Sequence, residues 1–439
     1  MNDSPGTANR AVRLMVALLT LVMLMAWSSQ GTAQTAPFED GNRWVVDQIN
    51  ADKAWNTTKG ADTTVAVIDD GLGQHPLFEN KDIRDGIDAV APDYTARTRA
   101  ADHGTFLVGA LFAVAPEVTV LPIAVWTPSD ALLGMPGNRN SRSFRDALYY
   151  AVEEGADVIA VASGLSGGPE ERERKALQYA MDQGVVVVAA AGNDPGMAVP
   201  EPAAAPGVVT VSGSNRNSEP WQYSTTGPEV DLAAPAAART CLTSQSFEER
   251  SDWAPEVTAE DLYEDCEGTS LATPAVAGAA ALVKSSDPSL TGNDIIQRLI
   301  DTASGADSKR SEELGFGIVD VQAAIESDIS GMESNPLGYP LGEQGASEEY
   351  AAEALADSPL VDAPEPDNEA TPESDSGSDD VDSTGGSESA GSQSLALLVG
   401  AAGLVVLGGV IVTVVLVRRQ HRNRPGSSPV RTGEAQRPQ

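Results

Sequence analysis

The chain of 439 residues carries 28 basic and 64 acidic side chains, which gives a formal net charge of −36. Nucleic-acid binding needs a basic surface, so this composition argues against it. The two cysteines and three histidines are too few for a disulfide scaffold, a four-cysteine zinc site or a histidine-rich metal site.

The N-terminus has the pattern of a signal peptide. Arg10 and Arg13 precede an apolar run over 14–27, and the small residues Gly31–Ala33 suit cleavage. We therefore predict a signal peptide over residues 1–33 and export of the chain that follows. An uncleaved membrane anchor is the alternative, although the apolar run is short for a full span.

Strand-like and helix-like segments alternate between residues 34 and 330, which predicts one α/β domain. Amphipathic helices are predicted over 144–152, capped by Ser143, and over 170–182. The predicted strands are continuous apolar runs, as in strands buried on both faces: Thr64–Ile68, Val118–Val125, Val158–Ala162, Val185–Ala191, Val208–Ser212 and Val230–Ala233. This alternation predicts a mostly parallel central sheet with helices on both faces, and functional sites at the carboxyl ends of its strands.

The C-terminal part has a different composition. Residues 331–393 are rich in Glu, Asp, Ser, Pro and Gly, which predicts an acidic disordered linker. The apolar run over 394–417 is long enough for one transmembrane helix. A basic tail over 418–439 then predicts a cytoplasmic C-terminus, with the domain extracytoplasmic at the cell membrane. A buried helix is the alternative interpretation of the apolar run.

The cysteines can form one bridge. Export would place Cys241 and Cys266 in an oxidising compartment, where a disulfide between them is expected. The bridge would close a loop that ends just before Ser270.

Two side chains are candidates for acid–base chemistry. Asp69 ends the first predicted strand, and Asp70 beside it fits a turn equally well. His103 stands at the start of a small-residue helix. If the exported domain uses a histidine base, His103 is the best candidate, because His75 lies in a turn and His421 in the predicted tail. A purely structural histidine is the alternative.

Two further side chains could serve a nucleophilic reaction. Ser270 lies between a Gly-led turn and a run of small apolar residues that can form a buried helix. The first turn of a helix offers free backbone N–H groups and a positive dipole end, which suit a reaction that develops negative charge. Asn193 follows a predicted strand, and its amide could donate to an oxyanion. The alternatives are a helix cap at Thr269 or Ser270 and a simple turn asparagine.

Asp, His and Ser follow one another in the subtilisin order. Four segments resemble the aspartate, histidine, oxyanion and serine motifs of the subtilases, respectively Val65–Gly71, His103–Gly109, Ala190–Asn193 and Gly268–Pro274. The resemblance covers roughly residues 44–326. It implies a subtilisin-like α/β fold and a serine endopeptidase.

The resemblance also implies a role for each residue. Asp69 would orient His103, and His103 would take the proton of Ser270 as the serine attacks a peptide carbonyl. Asn193 would stabilise the oxyanion together with the backbone N–H of the serine.

Substrate binding and cofactors follow from the same resemblance. The segment of Ala162, Ser163 and Gly164 would bind extended peptide by strand addition. A structural calcium ion fits the family, but no clear calcium motif supports one. No other cofactor and no metal site is expected.

A narrower resemblance is to the mycosins, the membrane-anchored subtilases of type VII secretion systems. Signal peptide, catalytic domain, stalk, single span and short basic tail follow in the same order, and the phrases Ala151–Ile159, Gly184–Asn193 and Pro206–Val209 look like theirs. The expected function is proteolysis of exported proteins, with secretion-complex subunits as partners. Two alternatives remain: a structural component of a secretion complex with restricted or dispensable proteolysis, and a general surface protease.

Overall fold

A seven-stranded parallel sheet forms the centre of the fold, in a computed structural model that describes residues 38–98, 101–125, 141–164, 171–237, 239–243, 262–305 and 310–338. Its strands are β1 (Thr64–Asp69), β2 (Ile87–Asp88), β3 (Thr119–Ala124), β4 (Val158–Val161), β5 (Val186–Ala190), β6 (Val209–Ser214) and β7 (Leu232–Pro235). They lie in the order β2-β3-β1-β4-β5-β6-β7, and every neighbouring pair is parallel. Strands β8 (Arg239–Leu242) and β9 (Tyr263–Cys266) form a separate antiparallel pair.

The helices cover both faces of the sheet. They are α1 (38–48), α2 (Ala51–Ala54), α3 (His103–Val114), α4 (Ser141–Glu153), α5 (Glu171–Asp182), α6 (Thr269–Ser286), α7 (Gly292–Thr302) and α8 (Val321–Glu326). Helices α3, α6, α7 and α8 belong to one apolar core, and α4 and α5 to the other. The predicted α/β architecture is therefore confirmed.

Strand β1 shows why these runs form buried strands. Val65 and Val67 enter the core on the α3 and α6 side, whereas Ala66 and Ile68 enter the core on the α4 and α5 side. A strand covered on both faces has no polar side, which explains its continuous apolar sequence. All six predicted strands are present, with ends that differ from the prediction by at most two residues.

Helix α6 is the buried small-residue helix that the sequence predicts. Residues 271–283 are all buried, and the helix packs against α3 and against β1 and β4 to β7. Small side chains permit this close approach: a Cβ at Gly278 would lie 3.1 Å from Val114 of α3. The first turn of α6 is thereby held between the sheet and α3.

The structure corrects one predicted helix start. Helix α4 begins at Ser141, so Ser143 lies within the helix and does not cap it. The Ser143 hydroxyl is buried and donates to the carbonyl of Ala89 at 3.2 Å. A tertiary hydrogen bond uses the hydroxyl that the sequence assigns to a cap.

The predicted signal peptide and the apolar run over 394–417 lie outside the described residues. Among the residues that the structure does describe, no helix is long and apolar enough to cross a membrane. Residues 331–338, which begin the predicted linker, lie against the domain. Asn335 is buried there and donates to the carbonyl of Gly207 at 2.9 Å.

Candidate active site

Asp69 and His103 are in direct contact at the carboxyl end of β1. Nδ1 of His103 lies 2.7 Å from Oδ1 of Asp69. The carboxylate accepts, so the Nδ1 proton belongs to the imidazole and Nε2 is left as its basic nitrogen. Asp69 is fully buried, whereas 32% of the His103 side chain is exposed. The pair therefore joins a rigid buried carboxylate to an accessible base.

Asp70 has a different task from Asp69. Its Oδ1 accepts from the amide of Gly104 at 2.7 Å, and its Oδ2 accepts from the amide of His103 at 3.3 Å. Asp70 thus binds the N-terminal amides of α3 from a neighbouring strand end. Burial, and next the charge of Asp69, raise the pKa of Asp70 to about 7, while the two amides and His103 oppose that rise. Asp69 and Asp70, which the sequence does not distinguish, therefore have different hydrogen-bond partners.

The turn after β1 and the start of α3 touch through their backbones. A Cβ at Gly104 would lie only 1.9 Å from the carbonyl oxygen of Gly71. Gly71 itself has a φ of +109°, in the region that favours glycine. These two glycines allow Asp69 and His103 to come within hydrogen-bonding distance.

Ser270 lies in the first turn of α6 and is half-buried. The residue before the helix is Gly268, which has no side chain to cap it, so neither Thr269 nor Ser270 is the cap. Four residues after the serine, Pro274 brings no backbone N–H, so the carbonyl of Ser270 lacks its usual partner within the helix. The first turn of α6 therefore has one intrahelical hydrogen bond fewer, and contacts from outside the helix add to its support.

Asn193 provides one of these contacts. Its Oδ1 accepts from both the amide and the hydroxyl of Thr269, each at 2.9 Å. The amide nitrogen of Asn193 is thereby turned away from Thr269. A Cβ built on Gly268 would lie 3.4 Å from that nitrogen and 3.0 Å from Oγ of Ser270. Asn193 Nδ2 and Ser270 Oγ therefore border the same small space, as an oxyanion donor and a nucleophile would.

Thr225 supports the loop that carries Asn193, although no pattern in the sequence indicates this role. Its hydroxyl donates to the carbonyl of Asp194 at 2.8 Å and accepts from the amide of Asp194 at 3.1 Å. Its own amide donates to the carbonyl of Gly192 at 2.9 Å. The loop is thus fixed on both sides of Asn193.

The predicted disulfide is present and lies beside the candidate site. Cys241 of β8 and Cys266 of β9 are bonded, with Cα atoms 5.9 Å apart. The bridge packs with Phe106 of α3 and Leu271 of α6. It therefore contacts the helix that carries His103 and the helix that carries Ser270.

The predicted substrate segment follows β4 at the same edge of the sheet. Ala162 is buried, and Ser163 and Gly164 are half-buried beyond the end of the strand. A Cβ at Gly164 would lie 2.8 Å from the ring of Pro200. No side chain fits on that side of Gly164, so the backbone itself is presented there.

The site residues thus fall into two directly bonded groups. Asp69, Asp70 and His103 form one, and Asn193 is bonded to Thr269 next to Ser270 in the other. Helices α3 and α6, which carry His103 and Ser270, pack against each other. In the described part of the chain, no three His, Cys, Asp or Glu side chains cluster so as to hold a metal ion.

The chain is similar to known proteins over most of the α/β domain. Residues 60–317 match the sequence model Peptidase_S8, described as the subtilase family. The halolysin-like extracellular serine protease Nep of Natrialba magadii is 32% identical over 298 residues, which are 66% of this chain and 52% of that protein. The chain therefore spans about half the length of this relative.

Similarity extends to the mycosins. Mycosin-4 of Mycobacterium tuberculosis is 32% identical over 315 residues, covering 63% of this chain and 68% of that protein. The crystal structure of MycP1 from the ESX-1 type VII secretion system aligns with a TM-score of 0.55 at 26% identity. That alignment covers 67% of this chain and 89% of MycP1.

Proposed function

This chain belongs to the subtilase family of serine proteases, and from that premise we propose that it is a membrane-anchored serine endopeptidase that cuts exported proteins. The observation that carries the proposal is the 2.7 Å contact between Asp69 and His103 at the end of β1. Nucleophilic acyl transfer requires a serine activated by a base, and a buried carboxylate behind an accessible imidazole supplies such a base. The helix that carries this imidazole packs against the helix whose first turn carries Ser270.

In the proposed reaction, His103 Nε2 takes the proton of Ser270 Oγ as this oxygen attacks the scissile carbonyl carbon. Asp69 stabilises the resulting imidazolium through its bond to Nδ1. The imidazolium then gives its proton to the leaving amine, which departs as the acyl-enzyme forms. Water attacks the acyl-enzyme through the same base and releases the second product, the serine recovering its proton.

Charge on the tetrahedral oxygen is stabilised by Asn193 Nδ2 and the backbone N–H of Ser270. Thr269 supports this role, since it occupies the amide oxygen of Asn193 and so turns the nitrogen toward the space beside the serine. A donor fixed in advance stabilises developing charge without reorganising during the reaction.

Ala162, Ser163 and Gly164 form the proposed substrate segment. Extended peptide would pair with this backbone, whose far side is closed at Gly164 by Pro200. Backbone pairing recognises extended chain rather than one side chain, so we expect unfolded segments of exported proteins as substrates.

The mycosin similarity supports an association with type VII secretion. The proposed arrangement has a signal peptide over 1–33, an extracytoplasmic domain, one span over 394–417 and a cytoplasmic tail over 418–439. Cysteine-accessibility labelling of intact cells tests it, with single cysteines placed in the linker and in the tail of a variant that lacks the native pair. Labelling of the tail from outside would contradict the proposal.

The structural role in a secretion complex remains the competing function. Complementation of a deletion strain separates the two hypotheses. If Ser270→Ala restores secretion fully, the scaffold role is sufficient, and proteolysis is not the essential function. If it fails while the protein is present at normal levels, catalysis is required.

The direct test is covalent labelling of the full chain in detergent with a fluorophosphonate. The reagent phosphonylates an activated serine and releases fluoride. We expect labelling of the wild type and none of Ser270→Ala or His103→Ala. Ser285→Ala, a change at the far end of the same helix, is the matched control and should label normally. Labelling that persists in Ser270→Ala would assign the reactive serine elsewhere.

A further inference from the structure

Arg239 is a fully buried arginine close to the candidate nucleophile. It is the first residue of β8 and is only 2% exposed. Its Nη1 donates to the carbonyl of Leu271 at 2.6 Å and to that of Pro235 at 3.3 Å. Its Nε lies 3.5 Å from Oδ1 of Asn42 in α1. Within the described ranges, no carboxylate forms an ion pair with it.

The stability of the fold does not by itself explain a buried guanidinium at position 239. Burial lowers the pKa of Arg239 to about 9, because the guanidinium loses its hydration. Burying a charge of this kind is unfavourable, and an apolar side chain of similar size often serves stability better. The guanidinium is instead used to bind neutral oxygens, one of which belongs to the residue after Ser270.

The carbonyl of Leu271 is a sensitive point in α6. Pro274 leaves the carbonyl of Ser270 without an amide partner in the helix, so the hydrogen-bond ladder is incomplete there. Arg239 holds the next carbonyl from outside at short range. Because a carbonyl is rigidly joined to its peptide plane, the bond restrains the backbone on the C-terminal side of the serine.

A second connection fixes the arginine itself. Nδ2 of Asn42 donates to the carbonyl of Thr240, next to Arg239, at 2.8 Å. A Cβ at Gly41 would lie 2.0 Å from the Thr240 hydroxyl, so α1 and β8 are in close contact. The arginine is thus anchored by the contact of β8 with α1 as well as by its own bond to α6.

We propose that Arg239 is a positioning residue for Ser270: its hydrogen bond to the carbonyl of Leu271 fixes the first turn of α6 and so aims Oγ of Ser270. The proposal rests on the proposed serine-protease function. It requires that loss of the guanidinium slows the chemical step more than it weakens substrate binding.

The test compares Arg239→Met and Arg239→Lys with Arg298→Met. Arg298 is the matched control, since it is also buried and donates to a backbone carbonyl, that of Ile329 at 2.6 Å, but lies in α7. Full-length variants are assayed for fluorophosphonate labelling rate and for kcat and KM on a peptide substrate. We expect Arg239→Met to lose about 10- to 100-fold in labelling rate and in kcat, with KM within about two-fold.

Arg239→Lys should recover part of the rate, because an ammonium group can still donate to one carbonyl. Arg298→Met should keep the wild-type rate even where it lowers thermal stability. A folded Arg239→Met with the wild-type rate overturns the proposal. If Arg239→Met does not fold, Arg239→Lys decides: a folded Lys variant with an unchanged kcat overturns it, and a reduced kcat at unchanged KM supports it.

If the proposed serine-protease function is wrong, the wild type will take no fluorophosphonate label. This outcome is distinct from failure of the positioning proposal. Amide hydrogen exchange would then test the positioning alone. We expect faster exchange in peptides that cover residues 269–273 for Arg239→Met or Arg239→Lys, and no change there for Arg298→Met. Unchanged exchange in the Arg239 variants would overturn the inference.

Discussion

Asn193 accepts two hydrogen bonds from Thr269, one from the amide and one from the hydroxyl, each at 2.9 Å. The residue before the proposed nucleophile therefore orients the proposed oxyanion donor. Thr269→Val keeps the shape of the side chain and the amide bond but removes the hydroxyl. We expect kcat to fall about ten-fold with KM nearly unchanged, because the amide of Asn193 gains freedom.

The same assay on Asn193→Ala should show a larger loss, about 100- to 1,000-fold in kcat, since the donor itself is gone. Thr302→Val is the control, because the Thr302 hydroxyl likewise donates one hydrogen bond, but to the backbone carbonyl of Arg298 in α7. Equal activity of Thr269→Val and wild type would show that the amide bond alone orients Asn193.

Gly268 is a second position where a small change should stop the reaction. A Cβ there would border both Oγ of Ser270 and Nδ2 of Asn193, and the φ of +152° strains any other residue. For Gly268→Ala we expect kcat to fall at least about 100-fold, because the methyl group fills the space beside the nucleophile.

Gly305→Ala is the control for backbone strain without crowding. That glycine also has a positive φ, +87°, but a Cβ there would meet nothing within 4 Å. Steady-state kinetics and thermal melts of both variants separate the causes. If Gly305→Ala loses as much activity as Gly268→Ala, crowding at the nucleophile is not the reason.

The raised pKa of Asp70 predicts that the free energy of unfolding depends on pH. This pKa is about 7 in the folded protein, against 3.8 for an unperturbed aspartate. The folded state therefore binds more protons than the unfolded chain between these values. Its contribution to the free energy of unfolding is fully present below about pH 4 and is lost as the pH rises through 7.

Replacing Asp70 removes this dependence. For Asp70→Asn, we expect the decrease in unfolding free energy between pH 5 and pH 7 to be smaller than in the wild type by about 2 kcal/mol. We also expect kcat to fall, because the new amide group would face the N–H of His103, which now donates to a carboxylate.

Asp231 gives a matched comparison for Asp70. Burial, the leading cause, also raises its pKa to about 7, and it bonds Thr210 and Arg310 away from the candidate site. Asp231→Asn should alter the pH dependence of urea unfolding in the same direction while kcat stays near wild type. If the unfolding free energy of Asp70→Asn decreased more between pH 5 and pH 7 than that of the wild type, the raised pKa of Asp70 would be refuted.

The disulfide links stability to activity. Cys241 and Cys266 are 25 residues apart, and closing a loop of this length stabilises by about 3 kcal/mol in the chain-entropy model. For the double variant Cys241→Ala/Cys266→Ala, we expect a loss of this order in urea unfolding. Because the bridge packs between Phe106 and Leu271, kcat should also fall.

Reductant provides the control for this effect. Dithiothreitol should lower the activity of the wild type toward that of the double variant and leave the double variant unchanged. Inhibition of the double variant to the same extent would mean that the reductant acts elsewhere.

The sequence predicts best those features that depend on neighbouring residues. The continuous apolar run Val65–Ile68 predicts a strand buried on both faces, and Asp69 follows at its carboxyl end. The small residues after Ser270 likewise predict a buried helix by themselves. Each of these inferences needs only a local pattern and the general geometry of α/β folds.

The features that the sequence did not predict depend on contacts between distant segments. Thr225 supports a loop more than thirty residues earlier in the chain, as its bonds to Asp194 show. Arg239 binds the carbonyl of Leu271 and looks, in the sequence, like any arginine at a strand start. The division of labour between Asp69 and Asp70 also appears only when α3 is placed against β1.

The contact between Gly71 and Gly104 has a consequence for how this site can vary. A Cβ at Gly104 would lie 1.9 Å from the oxygen of Gly71. The backbone of the turn after β1 therefore contacts the backbone of α3 directly, and this contact sets the separation of Asp69 and His103. Other residues of α3 can therefore be substituted during evolution without altering that separation. The two glycines have no such freedom, and a library that randomises this region should recover active clones only with glycine at position 104.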